Sequence, residues 1–140
     1  MAIADPGAPL YLDASAIVKL IAEEPESADL VEAVTDARLV SSELAIAEVP
    51  RAMRRIERGN LVDLIARADA VLATVDLIAV ESDVLTLAGA LPTANLRTLD
   101  AVHVASSLLL DDLGLFVSYD ARQLRAAAEA GLAIASPGRP

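Results

Sequence analysis

The chain has 140 residues, 55% of them hydrophobic, a formal charge of −10 at pH 7, one histidine and no cysteine. That length suits one domain with one core, the acidity excludes a protein that grips nucleic acid through a broad basic surface, and the missing thiols exclude disulfide scaffolds, thiol nucleophiles and thiolate metal sites. No charge-free run is long enough to span a bilayer, and Met1-Ala2-Ile3-Ala4-Asp5-Pro6-Gly7 lacks the basic segment and apolar stretch of a signal peptide, so a soluble, cytoplasmic protein is expected.

Leu10-Tyr11-Leu12-Asp13-Ala14-Ser15 reads as a first, central strand that ends in a carboxylate. Ligands of open α/β sheets bind outside the carboxyl ends of the strands, so Asp13 faces the expected crevice. Helical spacing follows at Ala16, Ile17, Leu20 and Ile21, with Asp13 or Ser15 as cap and Pro25 as stop. A second helix over 26–34 leads to a short strand over 38–41. The next helix runs through Leu44, Glu48, Met53 and Ile56 and stops at Gly59; because Pro50 is best tolerated in a first turn, its regular part is expected to begin near Val49 or to kink there. Asn60 caps a helix over 61–74, residues 77–80 form a short strand, and Ser82 caps a helix as far as Leu91. After a loop over 92–95, apolar residues at 99, 102, 105 and 109 mark a helix over 97–110, with Asp100 one position off that stripe near its start. Residues 115–119 form a strand ending at Asp120, 121–130 a helix with Gly131 as its C′ residue, and 132–135 a last strand. Strands alternating with helices imply a parallel, doubly wound α/β sheet with right-handed crossovers. One domain over 1–140 is expected, with loose ends at 1–8 and 137–140.

Four carboxylates fall at comparable places: Asp13 and Asp120 at strand ends, Glu48 and Asp100 near helix starts. Spacing alone leaves their convergence open. Singly, Asp13 and Asp120 serve as well for helix caps, Asp100 for a first-turn acid favoured by the helix dipole, and Glu48 for a solvated residue. If they converge, two carboxylates about 4 Å apart repel by roughly 4 kcal/mol at an effective dielectric near 20, so the group protonates or takes up a cation. Mg²⁺ or Mn²⁺ suits oxygen ligands and phosphate substrates, and the implied reaction is phosphodiester hydrolysis. His103 shares a helix face with Asp100, yet Val102, Val104 and Ala105 around it favour a half-buried structural histidine over a ligand. A single histidine also argues against metal-free RNA cleavage through the 2′-hydroxyl. Arg51, Arg54, Arg55 and Arg58 form the one local basic patch among eleven Lys and Arg residues, with Arg51, Arg55 and Arg58 on the face of Glu48. They bind phosphate or form a solvated face paired with acids. Ser15 and Ser118 lie two residues from a site Asp; they hydrogen-bond a carboxylate or cap helices, with capping the better reading for Ser15.

Four segments carry a family resemblance: Tyr11-Leu12-Asp13-Ala14-Ser15-Ala16, Ser41-Ser42-Glu43-Leu44 leading to Glu48-Val49-Pro50-Arg51-Ala52, Leu96-Arg97-Thr98-Leu99-Asp100-Ala101-Val102-His103, and Val117-Ser118-Tyr119-Asp120-Ala121-Arg122. In order and spacing the chain resembles PIN domains, and within them the VapC-type ribonuclease toxins of bacterial type II toxin–antitoxin pairs. The resemblance implies a Rossmann-like α/β/α sandwich with a central parallel sheet of about five strands, usually as a homodimer. It implies a metal-dependent endoribonuclease with Asp13, Glu48, Asp100 and Asp120 around Mg²⁺ or Mn²⁺, cutting RNA such as tRNA or rRNA to leave a 5′-phosphate and a 3′-hydroxyl. Asp13 and Asp100 would be the main ligands, Glu48 a ligand or the group that orients water, and Asp120 would complete the site or hold a second ion. Ser15 and Ser118 would support them, and Arg97 and Arg122 join Arg51, Arg55 and Arg58 as candidate RNA contacts. A small VapB-type antitoxin would cover the groove. A phosphoacceptor receiver domain needs a late-strand Lys, whereas the one Lys is Lys19 in the first helix, and neither G-x-G-x-x-G nor a P-loop occurs. A catalytically inactive PIN-like interaction module is disfavoured because all four acids are present.

Overall fold

A computed structural model describes residues 7–140; the part of the expected loose start at 1–6 lies outside the described residues. In chain order the elements are β1 (Leu10–Leu12), α1 (Ala14–Ile21), α2 (Ser27–Val34), β2 (Leu39–Ser42), α3 (Ala45–Arg55), α4 (Leu61–Leu72), β3 (Val75–Ile78), α5 (Ser82–Ala90), α6 (Thr98–Leu108), β4 (Leu115–Val117), α7 (Ala121–Glu129) and β5 (Ile134–Ala135). The five strands pair in parallel in the order β3-β2-β1-β4-β5. The chain moves outward from β1 to β3 and then crosses back to β4, so the sheet switches direction between β1 and β4. That switch is where open α/β sheets bind ligands, and Asp13 and Ser118 follow these two strands directly.

Side chains alternate across a strand. Leu10 and Leu12 of β1, with Leu39 and Val117, pack against α1 to α4, while Tyr11, Val40 and Phe116 face Val104 of α6 and Ala126 and Ala127 of α7. Each fully buried aliphatic side chain of this kind stabilises the fold by about 1.5–3 kcal/mol. Helix α5 covers the outer side of α6 through Val84, Ala88, Ala101, Val102 and Ala105. Helix α6 is therefore covered on two sides, and residues 101–107 are all buried. The expected apolar stripe holds only at its centre, since Leu99 is 51% and Leu109 42% exposed.

Four expectations are corrected. Helix α3 starts at Ala45 with Pro50 inside it; tight bonds from Ile46 N to Glu43 O and Ala47 N to Leu44 O open the helix, and the fully buried Ala45, Val49 and Met53 hold it against the core, so packing overrides the proline preference. Strand β3 lies two residues earlier than expected, in register with β2 from Leu39↔Val75 to Ser42↔Ile78. Ser82 is the first residue of α5, and Glu81 stands at the cap position without a side-chain cap bond. The tail over 137–140 is tied down rather than loose: Tyr119 Oη donates to Pro137 O at 2.7 Å, and Arg139 donates to Tyr119 O at 2.7 Å and to Glu26 at 3.1 Å. Gly131 follows α7 at φ +93° as the expected C′ residue. Among the described residues, no helix is long and apolar enough to cross a membrane.

Candidate active site

Asp13 leaves β1 in extended conformation and caps α1, so one residue closes the strand and starts the helix. Its Oδ1 accepts from Ala16 N at 2.9 Å and Ser15 Oγ at 2.7 Å, and its Oδ2 accepts from Ser118 Oγ at 2.6 Å. The side chain is buried, and among the described residues no Lys or Arg pairs with it. Burial pushes the carboxyl above its ordinary value, opposed by the donors from Ser118, Ser15 and Ala16 and by the field of His103. The switch crevice thus holds a buried acid whose direct hydrogen-bond partners are two serine hydroxyls and a backbone amide. Ser15 acts as a carboxylate donor and accepts from Tyr119 N at 3.0 Å; this corrects the reading of Ser15 as a cap, which is the role of Asp13.

Ser118 ties the two strand ends together. Its Oγ lies 2.6 Å from Asp13 and 3.2 Å from Gln123 Oε1; with one proton to give, the shorter contact to the carboxylate takes it. The same oxygen accepts from Asp120 N at 3.0 Å. Asp120 caps α7 through Oδ1, which accepts from Arg122 N and Gln123 N, and Gln123 donates to Asp100 O at 3.2 Å. Arg97 joins the acids on the open side, with Nε 3.3 Å from Asp100 and Nη2 3.9 Å from Asp120.

Glu48 sits in the first turn of α3 and reaches the same region through a histidine. Its Oε1 lies 2.6 Å from His103 Nε2, and His103 Nδ1 lies 2.7 Å from Tyr11 Oη. His103 is 1% exposed, so the expected half-buried structural residue is a fully buried link between β1 and Glu48. Burial, with the carboxylates of Asp13 and then Glu48 nearby, holds the Tyr11 hydroxyl well above its ordinary value, opposed by the neighbouring hydroxyls of Ser41 and Ser106.

A groove of about 690 Å³ opens beside these residues, lined among others by Ser15, Glu48, Arg51, Arg55, Leu99 and Arg139. Two of the expected arginines, Arg51 and Arg55, therefore face it. Arg58 does not: α3 ends at Arg55, and Arg58 Nη2 donates to Glu23 O at 3.0 Å. Arg122 lines a separate hollow of about 380 Å³ with Arg125 beside residues 93–96, and Arg97 lies on the acids themselves. Arg139 and His103 are site residues that periodicity did not single out for these roles; a histidine between Val102 and Val104 on a helix buried all round requires polar partners for both ring nitrogens, and that was the available signal.

Asp13, Asp100 and Asp120 are linked through Ser118, Gln123 and Arg97, whereas Glu48 is joined only to His103 and, through it, to Tyr11; the four acids themselves offer oxygen ligands. A buried Asp13 anion without a cationic partner, and an arginine already drawn to Asp100 and Asp120, fit a hard divalent cation. Among the described residues, no three His, Cys, Asp or Glu groups stand close enough to hold an ion between them, so the quartet is not a closed cage. Mg²⁺ commonly takes one or two protein carboxylates and keeps several waters, which such an open set allows.

The family model for the PIN domain matches residues 10–129. Ribonuclease VapC46 of Mycobacterium tuberculosis is 45% identical over 132 residues, covering 93% of this chain and 98% of that protein. Ribonuclease VapC35 of the same species is 35% identical over 136 residues, covering 93% and 98%. Among solved structures, VapBC2 from Rickettsia felis, bound to a DNA fragment from its promoter, aligns with a TM-score of 0.69 at 12% identity, covering 92% of this chain and 98% of that one; the likeness concerns the fold.

Proposed function

The chain belongs to the PIN domain family, and on that premise we propose that it is a metal-dependent endoribonuclease, the toxin of a VapBC-type pair acting in the cytoplasm. The observation that carries the reading is the buried Asp13 carboxylate at the sheet's switch point, held by neutral donors and linked through Ser118 to Asp120. Mg²⁺ or Mn²⁺ held by Asp13 and Asp100, with Glu48 and Asp120 completing the set, would supply charge stabilisation at the phosphoryl oxygens and a nucleophile at neutral pH.

The chain's own residues do the rest. Ser15, Ser118 and the Ala16 amide fix the Asp13 carboxylate in one orientation, so little reorganisation accompanies reaction. Glu48, 22% exposed at the groove, orients the attacking water or accepts its proton. Arg51 and Arg55 receive RNA phosphates along the groove, a local substitute for the broad basic surface that a charge of −10 rules out. A VapB-type antitoxin covering this groove and a homodimer of the toxin complete the proposal; the antitoxin is in keeping with the relatives' being VapC ribonucleases.

The reading is tested by incubating purified, antitoxin-free protein with a mixed tRNA and rRNA pool in Mg²⁺, Mn²⁺ or chelator, beside Asp100→Asn. Discrete products with 5′-phosphate ends, absent with chelator and in the variant, are expected. Cleavage that persists in chelator, or intact RNA with ion-loaded protein, would contradict it.

A further inference from the structure

We propose that His103 is a positioning residue that holds Glu48 through its Nε2–H, in a tautomer that Tyr11 fixes from the core; as a contribution to catalysis, this rests on the hydrolytic reading of Glu48. The geometry sets the protons. An ionised carboxylate only accepts hydrogen bonds, so at 2.6 Å from Glu48 Oε1 the Nε2 atom must carry the hydrogen. In the neutral ring Nδ1 is then an acceptor, and the Tyr11 hydroxyl at 2.7 Å is its donor. One partner selects each nitrogen, and each ring nitrogen is used.

The link is rigid because its inner end is locked. Tyr11 is fully buried in the central strand, stacked on Phe116 with ring centroids 5.2 Å apart and planes 7° from parallel, and it meets the His103 ring edge-on at 5.8 Å. Glu48 by contrast is partly exposed at the groove with three rotatable bonds, and without a donor it would sample several rotamers. Holding Oε1 leaves Oε2 free for the crevice. Strand β1 therefore supplies the site twice, through Asp13 at its end and through Tyr11 behind His103, and outer partners of this kind typically change activity by about 10- to 100-fold when removed.

His103 is the one histidine of the chain, so histidine-specific ¹⁵N labelling of the full protein reports on it alone, with no metal or RNA present. The expected spectrum shows a protonated Nε2 and an unprotonated Nδ1, and Tyr11→Phe shifts the ring towards a mixture of tautomers. In cleavage, His103→Gln, which keeps an N–H near the Nε2 position, stays within about 10-fold of wild type, whereas His103→Leu loses about 10- to 100-fold in kcat with KM unchanged. A wild-type ring protonated at Nδ1, a tautomer indifferent to Tyr11→Phe, or a folded His103→Leu protein with wild-type kcat would overturn the proposal. Intact RNA with a wild-type protein whose ring shows Nε2–H would instead refute the ribonuclease reading and leave the hold on Glu48 standing.

Discussion

Asp13→Asn is expected to make the metal-free protein more stable while abolishing activity. Three neutral donors reach the carboxylate. A hydrogen bond to a charged group contributes about 1.5–3 kcal/mol against about 0.5–1.5 for a neutral pair, so an amide forfeits about 1 kcal/mol per donor, or about 3 in all. Ser118 can follow the change by turning its proton to Gln123 Oε1, 3.2 Å away, and accepting from the new amide. Against this loss stands a desolvation cost of several kcal/mol for a buried ion. Burial dominates the upward shift of the Asp13 carboxyl, so the balance favours the amide, by about 1 kcal/mol or about 3–5 °C in Tm for a chain of this size. Thermal melts by circular dichroism at pH 7 in chelator measure it. The raised carboxyl lets the folded state keep its proton to higher pH than the unfolded chain, so wild type regains stability as pH falls through the folded value towards 3.8, and the two proteins converge in acid. Added Mn²⁺ at about 100 times its Kd should then stabilise wild type by about 2.7 kcal/mol and leave the variant unmoved. A variant that melts several degrees lower at pH 7 without metal, or a gap that does not close in acid, would refute the reasoning.

Arg97→Ala removes the exposed cation that spans Asp100 and Asp120; such pairs contribute about 0.2–1 kcal/mol, so Mn²⁺ affinity by calorimetry should tighten about 2- to 5-fold, and weaker binding would count against this role. Asn60→Ala deletes the cap that accepts from Val62 N at 2.8 Å and Asp63 N at 3.3 Å and should cost about 1 kcal/mol in urea unfolding at unchanged m, an unchanged midpoint being the contrary result. Lys19 first, and Arg139 second, hold the Glu26 carboxyl below its ordinary 4.5. Its contribution is thus present above that value and lost as pH falls through the lower folded one, so Glu26→Gln should flatten the acid limb of the Tm–pH profile, and an unaltered limb would disprove the link.

The order of elements was legible because each boundary carries its own chemistry: Asp13, Asn60 and Asp120 accept from the first amides of their helices as expected, and Gly131 adopts the positive φ of a C′ residue. Four acids at strand and helix ends were legible for the same reason. What failed depends on contacts distant in sequence. Pro50 argued locally for a late helix start, but Ala45 and Val49 are buried against other elements. Arg58 looked helical until α3 ended three residues before it. The tail is anchored by Tyr119 and Glu26, 18 and 113 residues away from their partners. His103 meets Glu48 across 55 residues and Tyr11 across 92, and one helix's periodicity shows neither partner. Corrections to the site have the same origin: periodicity places a side chain on a face, whereas packing decides what that face meets.

The central claim, that these carboxylates form one ion-binding hydrolytic centre, is tested most directly by soaking crystals of the protein in Mn²⁺ and recording anomalous diffraction. The account predicts a Mn²⁺ peak at the carboxyl ends of β1 and β4, in contact with Asp13 and Asp100, with Arg97 drawn away from the acids. A peak elsewhere on the molecule, or none at concentrations that support RNA cleavage, would contradict it.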